Sequence, residues 1–289
     1  MSKKHPLYQK HRRPGKRLAA RGIAAVCGCA LLLTVVILLV ARPGSEAEPF
    51  SAAQTEPVGV PETTVSNIPK NPYGPEDFSY EGAYLTCTAA EAVLGVDVSE
   101  HQHEIDWQQV ADSGVKFAMI RLGYQGTTSG GVYTDEYALR NLQGALDAGL
   151  QVGAYFFSQA VSVREAAEQA AFCIAMLKDY EITMPVVFDW EYTGDDTRTA
   201  DMTPEMLLAC TKTFCDAVEA AGYETMLYFN AHLADTLLDL EQLYEYPFWL
   251  AMYTDQMDYP HAFEMWQYTA DGTVPGIEGS TDLNLWLPG

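Results

Sequence analysis

Two carboxylates end an apolar segment in the middle of the chain. The segment MPVVFDWE spans residues 184–191 and carries Asp189 and Glu191 two positions apart. Side chains two apart on a β-strand point to the same face, with Cα atoms about 6.5 Å apart. Two neighbouring carboxyl groups tend to divide their titrations, so that one keeps a proton while the other is ionised. A proton donor beside an anion is the pair that cleavage of a glycosidic bond needs.

Two further carboxylates lie in strand-like segments near the two ends of the same region. Asp97 belongs to LGVDVS at 94–99, and Asp282 belongs to TDLNLW at 281–286. We predict that each ends its strand, and that the last strand pairs with the first if the sheet closes into a barrel. All four carboxylates would then converge on one mouth. Taken alone, the Asp-x-Glu triplet has an alternative interpretation as a solvent-exposed edge of a strand. The apolar run that precedes it disfavours this alternative.

Aromatic and amide side chains fall in the same strand-like segments. Tyr155 lies in the third segment, Trp249 and Tyr253 share one face of the sixth, and Gln267 lies in the seventh. Aromatic rings stack on the apolar faces of sugars, whereas amides and carboxylates bind hydroxyl groups. The alternative is that most of these rings fill the core.

A possible metal-binding fragment is much weaker. His101 and His103 are separated by one residue and followed by Glu104. A histidine pair at this spacing without a third ligand nearby is poor support for a metal site. We therefore predict a reaction that needs neither a metal nor a cofactor.

Strand-like and helix-like segments alternate from about residue 95. The strand-like segments are 94–99, 117–123, 151–157, 184–191, 225–230, 248–253, 264–269 and 281–286. The helical patterns cover 106–111, 135–148, 163–180, 204–221 and 233–243. Thr203 is a plausible N-cap, with Pro204 in the first turn and Gly222 after the last turn.

This alternation predicts an α/β fold with a parallel sheet and right-handed crossovers. Eight strands favour an irregular TIM-like barrel of about (β/α)5(β)3, with the functional residues at the carboxyl ends of the strands. The alternative is an open doubly wound sheet. It fits less well because no glycine-rich phosphate loop follows any strand.

Charge divides the chain into two parts. The 17 Lys and Arg against 39 Asp and Glu give a formal net charge of −22, which argues against nucleic-acid binding. Residues 1–41 nevertheless hold eight of the basic residues and no acidic one.

The apolar segment at 22–41 explains this division. It reads GIAAVCGCALLLTVVILLVA, without a charge, and as a helix it spans about 30 Å of hydrocarbon. The basic residues before it predict a cytoplasmic N-terminus. The alternative is a cleaved signal peptide, whose apolar region is usually only about 7–15 residues long. We predict a single-pass anchor in the cell membrane with an extracellular catalytic domain, and secretion after cleavage as the alternative.

A proline-rich segment follows the apolar one. Residues 42–75 contain seven prolines among Glu, Thr, Ser and Ala, a composition typical of an extended linker. Residues 76–94 are ambiguous, and YEGAYLTCTA is compatible with a short hairpin. We divide the chain into a basic cytoplasmic tail at 1–21, a transmembrane helix at 22–41, a linker and lead-in at 42–93, and a catalytic barrel at 94–289.

The exported part carries four cysteines, an even number that permits disulfides. They are Cys87, Cys173, Cys210 and Cys215. Three of them fall in helical patterns, and Cys210 and Cys215 are too close in sequence for an easy bridge within one helix. We predict buried, unpaired thiols.

Four segments together resemble glycoside hydrolase family 25, the lysozymes of the N-acetylmuramidase type. The segments are GVDVSEHQHEIDWQQVADSGVKFAMIRLGY (95–124), VVFDWE (186–191), FWLAMY (248–253) and WQYTADGTVPGIEGSTDLNLW (266–286). The resemblance covers roughly 95–287 with the motifs in the family's order. It implies an irregular β/α barrel that cleaves the β-1,4 bond from N-acetylmuramic acid to N-acetylglucosamine in peptidoglycan.

The resemblance also implies roles for single residues. Glu191 matches the general acid, and Asp189 matches a partner carboxylate that assists the substrate's acetamido group or an oxocarbenium-like state. Asp97 and Asp282 match the other two acids of the pocket, while sugar contacts are implied for Tyr155, Trp249, Tyr253 and Gln267. One departure is visible, because the family commonly reads H-Q-G-x-I-D-W and His103 replaces that glycine here.

The residues and the resemblance together predict a membrane-tethered muramidase whose partners are peptidoglycan glycan strands. Two alternatives stay open: a non-catalytic wall-binding scaffold on the same barrel, and a barrel hydrolase acting on another polysaccharide. The intact set of four carboxylates argues against the scaffold. The sequence indicates no oligomeric state.

Overall fold

The structure, a computed structural model, describes residues 66–254 and 256–288. Its strands are β1 (Phe78–Glu81), β2 (Tyr84–Cys87), β3 (Val93–Val98), β4 (Phe117–Gln125), β5 (Val132–Thr134), β6 (Gln151–Ser158), β7 (Val186–Trp190), β8 (Thr225–Asn230), β9 (Phe248–Ala251), β10 (Met265–Gly272) and β11 (Thr281–Trp286). Its α-helices are α1 (Trp107–Asp112), α2 (Ala138–Asp147), α3 (Val163–Leu177), α4 (Pro204–Ala220) and α5 (Ala231–Thr236).

Eight of these strands close into a barrel. Around it the order is β3, β4, β6, β7, β8, β9, β10, β11 and again β3. A helix follows each of the first five barrel strands, and the last three strands follow one another without an α-helix. The predicted pattern of five β/α units and three strands is therefore confirmed, and closure through β3 excludes the open sheet.

The last strand corrects the sequence analysis. The first seven barrel strands are parallel, but β11 runs antiparallel to both β10 and β3. The prediction that Asp282 ends its strand is wrong, since Asp282 is the second residue of β11. The reversed direction still brings it to the mouth, where it pairs in register with Asp97.

Helix ends follow the sequence signals. The Thr203 side chain accepts from the backbone N–H of Met206, and Pro204 begins α4. Gly222 follows this helix with a φ of 91°, a conformation that glycine adopts readily. The predicted fifth helix is shorter than expected: α5 ends at Thr236, and only a 3-10 turn at Leu240–Gln242 continues the pattern.

Successive side chains alternate between the two faces of each barrel strand, and this alternation produces two apolar cores. Side chains that point outward pack under the helices, as Ala118 and Ile120 do on β4. Their neighbours Phe117 and Met119 point inward and fill the barrel. The remaining buried members of this inner cluster are Met184, Val187, Met226, Trp249 and Met265. The inner core therefore forms an apolar floor beneath the mouth.

Residues 66–93 contact the barrel, so the folded part begins before residue 94. Ile68 is buried, and Asn71 donates to the carbonyl oxygen of Tyr259 over 2.9 Å. The β1–β2 hairpin packs on β10, with the ring of Phe78 edge-on to Trp266. It also confirms the hairpin that the sequence permitted between residues 76 and 94.

Two further sequence predictions concern the thiols and the membrane. Cys87, Cys173, Cys210 and Cys215 are all buried and unpaired, as predicted. Among the described residues, no helix combines the length and apolar character needed to cross a bilayer. The predicted helix at 22–41 lies outside those residues.

His103 occupies a backbone conformation that favours glycine. It ends the 3-10 turn after β3 with φ 52° and ψ −129°, and within the described residues no other non-glycine has a positive φ. A side chain with a Cβ is strained in this region, at a cost of about 1–3 kcal/mol. Glycoside hydrolase family 25, which the sequence resembles, commonly has glycine at this position.

We expect His103→Gly to stabilise the protein by about 1 kcal/mol because it relieves this strain. The lost edge contact between His103 and the ring of Tyr137 offsets part of the gain. Urea unfolding of the full chain measures the change. His101→Gly is the matched control, since His101 lies in the same turn without a positive φ, and it should destabilise. A loss of stability in His103→Gly would contradict the assignment of strain.

Candidate active site

Inward-facing side chains at the mouth of the barrel line a cleft of about 270 Å³. The lining residues are Asp97, Ser99, His101, Gln102, Arg121, Tyr155, Phe157, Asp189, Glu191, Tyr228, Trp249, Tyr253, Gln267 and Asp282. All eight residues predicted as catalytic or sugar-binding are brought together here. Inward-facing side chains are apolar on the floor of the barrel and polar in the layer above it. The cleft forms in this upper, polar layer.

Asp189 and Glu191 form one carboxyl pair. Asp189 is the fourth residue of β7, Glu191 follows the strand, and the outward Trp190 separates them. The two side chains are hydrogen-bonded to each other. Burial raises the pKa of Asp189 well above its ordinary range, and the charge of Glu191 raises it further. Burial also raises the pKa of Glu191, although the hydrogen bond from Asp189 lowers it, so the pair holds one proton and Asp189 carries it in the free enzyme.

Asp97 and Asp282 form the second pair, across the strands that close the barrel. Asp97 Oδ2 accepts hydrogen bonds from Gln267 Nε2 at 2.9 Å and from Asn284 Nδ2 at 2.7 Å. Burial raises the pKa of Asp97 to about 6, although these amide donors oppose the rise. Burial and the adjacent Asp97 charge raise the pKa of Asp282 to about 8. At neutral pH Asp97 is therefore the anion and Asp282 holds the proton.

Arg121 contributes the cationic group of the cleft lining. Its Nε donates to Asp135 Oδ2 at 2.9 Å, and its Nη2 lies 3.3 Å from Glu100 Oε1. Asp135 and Glu100 therefore balance most of the Arg121 charge, which limits its effect on the two carboxyl pairs. It lowers the pKa of Asp189, but less than burial raises it.

Gln267 connects several side chains of the cleft. Its Oε1 accepts from the hydroxyls of Tyr228 and Tyr253, each at 2.9 Å, while its Nε2 donates to Asp97. The amide is thus occupied within the protein, and its predicted contact with sugar stays a prediction.

The predicted aromatic sugar contacts lie at different depths. Tyr253 is 59% exposed at the rim. Tyr155 lies deeper and packs edge-on against Trp249, whose ring belongs to the apolar floor and is 1% exposed. Trp249 Nε1 donates to Asn284 Oδ1 at 2.8 Å. Tyr253 therefore offers the open ring face, and Trp249 borders the cleft from below.

Three side chains of the site were not among the residues predicted from the sequence: Arg121, Tyr228 and Asn284. Each had a signal, since each follows an inward-facing residue by two positions: Met119, Met226 and Asp282. An arginine within the apolar segment FAMIRLGYQ was the strongest of these signals. Of the two histidines considered for a metal, His101 lines the cleft, while His103 contacts the ring of Tyr137.

Two carboxyl pairs, each with one buried member, and aromatic side chains at the mouth of an eight-stranded barrel are the groups that a glycoside hydrolase uses. Comparison with known proteins agrees. The family model of glycosyl hydrolases family 25 matches residues 96–277. The chain therefore belongs to glycosyl hydrolases family 25, and it is a glycoside hydrolase of the lysozyme class.

Individual relatives support this membership. YegX of Escherichia coli K12 is 31% identical over 207 residues, covering 68% of this chain and 71% of YegX. Lysozyme M1 of Streptomyces globisporus is 24% identical, covering 96% of this chain and 94% of the lysozyme. The structure of the modular autolysin LytC from Streptococcus pneumoniae superposes with a TM-score of 0.60 at 26% identity. That match covers 68% of this chain but 46% of LytC, so this chain spans about half of that autolysin.

We expect Asp282→Asn to stabilise the protein by about 1–2 kcal/mol at pH 7, because a neutral amide no longer has to stay protonated when buried. The folded-state pKa of Asp282, about 8, lies above its ordinary 3.8. The wild type therefore loses stability as pH rises from about 4 towards 8, while asparagine does not titrate. The advantage of the variant should be largest near pH 8 and vanish near pH 4.

Urea unfolding at several pH values measures this difference. Asp179→Asn is the matched control, since Asp179 is largely exposed and its substitution should give no such pH-dependent gain. An advantage of Asp282→Asn that did not depend on pH would argue against a protonated Asp282.

Proposed function

We propose that this enzyme is a muramidase that cleaves the β-1,4 bond from N-acetylmuramic acid to N-acetylglucosamine in peptidoglycan. The observation that carries the proposal is the Asp189–Glu191 pair, which retains a proton at the mouth of the barrel. Family membership and the similarity to Lysozyme M1 support it. LytC, which is 26% identical to this chain, has been solved in complex with a synthetic peptidoglycan ligand.

In this proposal Glu191 is the general acid. Burial raises the pKa of Glu191, and the proton that the free pair holds on Asp189 passes along their hydrogen bond to Glu191 as Glu191 donates to the substrate, which leaves Asp189 ionised. Proton transfer from Glu191 to the glycosidic oxygen makes the departing sugar a neutral alcohol. The C–O bond then breaks with its electron pair leaving on that oxygen.

Asp189 is the partner carboxyl in the same step. It is hydrogen-bonded to Glu191, and its Oδ1 is buried without a hydrogen-bond partner among the described residues. As positive charge develops at the anomeric carbon, an ionised Asp189 stabilises it directly or through the acetamido group. A water molecule then adds to that carbon, and the proton it gives up returns to the carboxyl pair.

Asp97 and Asp282 hold the sugar in this proposal. An ionised Asp97 accepts hydrogen bonds from hydroxyl groups, while a protonated Asp282 can also donate one. Tyr253 supplies a ring face at the rim, and Tyr155 supplies a second ring inside the cleft.

We propose further that the catalytic domain acts outside the cell, tethered by residues 22–41, with secretion after signal cleavage as the alternative. The charge-free segment preceded by basic residues supports this placement. The buried, unpaired thiols show that the fold itself does not depend on disulfides.

We expect Glu191→Gln to lower the rate of peptidoglycan cleavage by about 100-fold or more, since an amide cannot deliver the proton. The full-length protein in detergent is incubated with purified peptidoglycan, and mass spectrometry measures new reducing ends on N-acetylmuramic acid. Glu219→Gln is the matched control because it removes the same charge from the exposed surface of α4. Near-normal activity of Glu191→Gln would remove Glu191 as the acid, and reducing ends on N-acetylglucosamine would contradict the proposed bond.

The pH profile provides a separate test. The acid must be protonated to act, so activity should be lost as pH rises through the pKa of Glu191. Because burial raises that pKa from 4.5, the basic limb of kcat/KM should lie above pH 4.5. Intrinsic fluorescence over the same pH range controls for unfolding. A basic limb at or below pH 4.5 in the folded enzyme would contradict a buried acid.

A further inference from the structure

The main chain at Glu191 lies beyond the regular pairing of its strand. On one edge of β7 the pairing with β6 ends at Ser158 and Trp190. On the other edge the pairing with β8 ends at Asp189 and Tyr228. The carbonyl group of Glu191 therefore has no partner from either ladder, although its side chain must be held in one place.

The side chain of Gln159 supplies the missing partner. Gln159 follows the last residue of β6 and is 0% exposed. Its Nε2 donates to the carbonyl oxygen of Glu191 at 2.7 Å and to that of Ser158 at 3.0 Å. Its Oε1 accepts from the hydroxyl of Thr193 at 2.8 Å. The amide thus offers one donor group and one acceptor, as a strand residue does, and extends the pairing beyond the end of β7.

Surrounding contacts keep Gln159 in this place. Trp190 Nε1 donates to the carbonyl oxygen of Ala160 at 3.0 Å, so the residues on both sides of the acid are tied to the segment after β6. The Ser158 hydroxyl donates to Gln169 Oε1 at 2.7 Å, which anchors the same segment to α3. Gln159 therefore joins a fixed segment to the main chain of the proposed acid.

We infer that Gln159 is a positioning residue that fixes the main chain of residues 191–193 and so aims the Glu191 carboxyl at the glycosidic oxygen. The inference rests on the proposed role of Glu191 as the acid. The regular ladder holds Asp189, whereas Gln159 holds the main chain of Glu191. Releasing Gln159 would let one carboxyl move relative to the other, and a displacement of about 1 Å at a reacting group can cost about 100-fold in rate.

The first test compares two buried glutamines. Gln159→Leu removes the contacts to Glu191 and Thr193. Gln125→Leu is the matched control, because Gln125 is also buried and hydrogen-bonded but contacts Gly130 and Gln169 instead. Both variants should be destabilised, since each leaves buried polar partners unpaired.

Only Gln159→Leu should lose kcat on soluble peptidoglycan fragments, by about 10- to 100-fold, with KM within about twofold of wild type. Equal kcat values in the two variants would overturn the inference, since they would reduce Gln159 to a structural role.

A second variant keeps the test decisive if Gln159→Leu fails to fold. Gln159→Glu has the same shape and can donate to the Glu191 carbonyl only while the new carboxyl is protonated. We expect its kcat, divided by that of wild type, to fall as pH rises. An ionised carboxylate here would raise the pKa of Glu191 and favour activity at higher pH, so the loss cannot come from charge alone. A ratio that does not change with pH would overturn the inference.

Failure of this inference is distinguishable from failure of the proposed function. If wild type releases no fragments with reducing N-acetylmuramic acid, the proposed function fails. If wild type is active, Glu191→Gln is inactive and Gln159→Leu matches Gln125→Leu, only the role of Gln159 fails.

Discussion

Antiparallel pairing of β11 with β3 is the constraint on which the site depends. This pairing closes the barrel, and its register sets Asp282 opposite Asp97 at the mouth. A parallel last strand would have carried Asp282 to the opposite end, away from the other carboxylates. The reversal also brings Asn284 beside Asp97 and Trp249, two side chains that it bridges by hydrogen bonds of 2.7 and 2.8 Å. The strand pairing that closes the barrel therefore also brings the four carboxyl groups together.

The two-residue period of a strand then separates the barrel floor from the chemistry. Met119 and Arg121 on β4, like Val187 and Asp189 on β7, point inward one layer apart. The lower layer excludes water, and the upper layer carries titratable groups over an apolar base. Burial is accordingly the largest cause of the raised pKa at each of the four carboxyls. The same burial lowers stability, a common relation between active sites and the folds that carry them.

This layering explains what the sequence could predict. Hydrophobic periodicity located all eight barrel strands and the five α-helices of the described residues, because each segment has a clear apolar face. Periodicity does not encode strand direction, so Asp282 was assigned to the wrong end of β11. The three-residue β5 is exposed along its length and has no apolar pattern to detect. Asp97, Asp189 and Glu191 were identifiable because charge after an apolar segment is conspicuous, whereas Asp282 precedes the apolar part of its strand. Gln267 was identified by type, but its bonds to Tyr228, Tyr253 and Asp97 depend on tertiary pairing.

Amides contact the Asp97 carboxyl and the main chain of Glu191, and this choice of partner suits an acid. A cation beside a carboxyl lowers its pKa by about 1–3 units and would remove the proton that the reaction requires. Arg121 is the cation of the cleft lining, and Asp135 and Glu100 largely balance its charge. Gln267 and Asn284 instead hold the anionic Asp97, while Gln159 binds only the main chain of Glu191 and leaves its carboxyl free of any donor from that amide. Neutral donors can thus fix the direction of a carboxyl while burial keeps its pKa high, which lets one rigid barrel hold an anion and a proton donor in the same cleft.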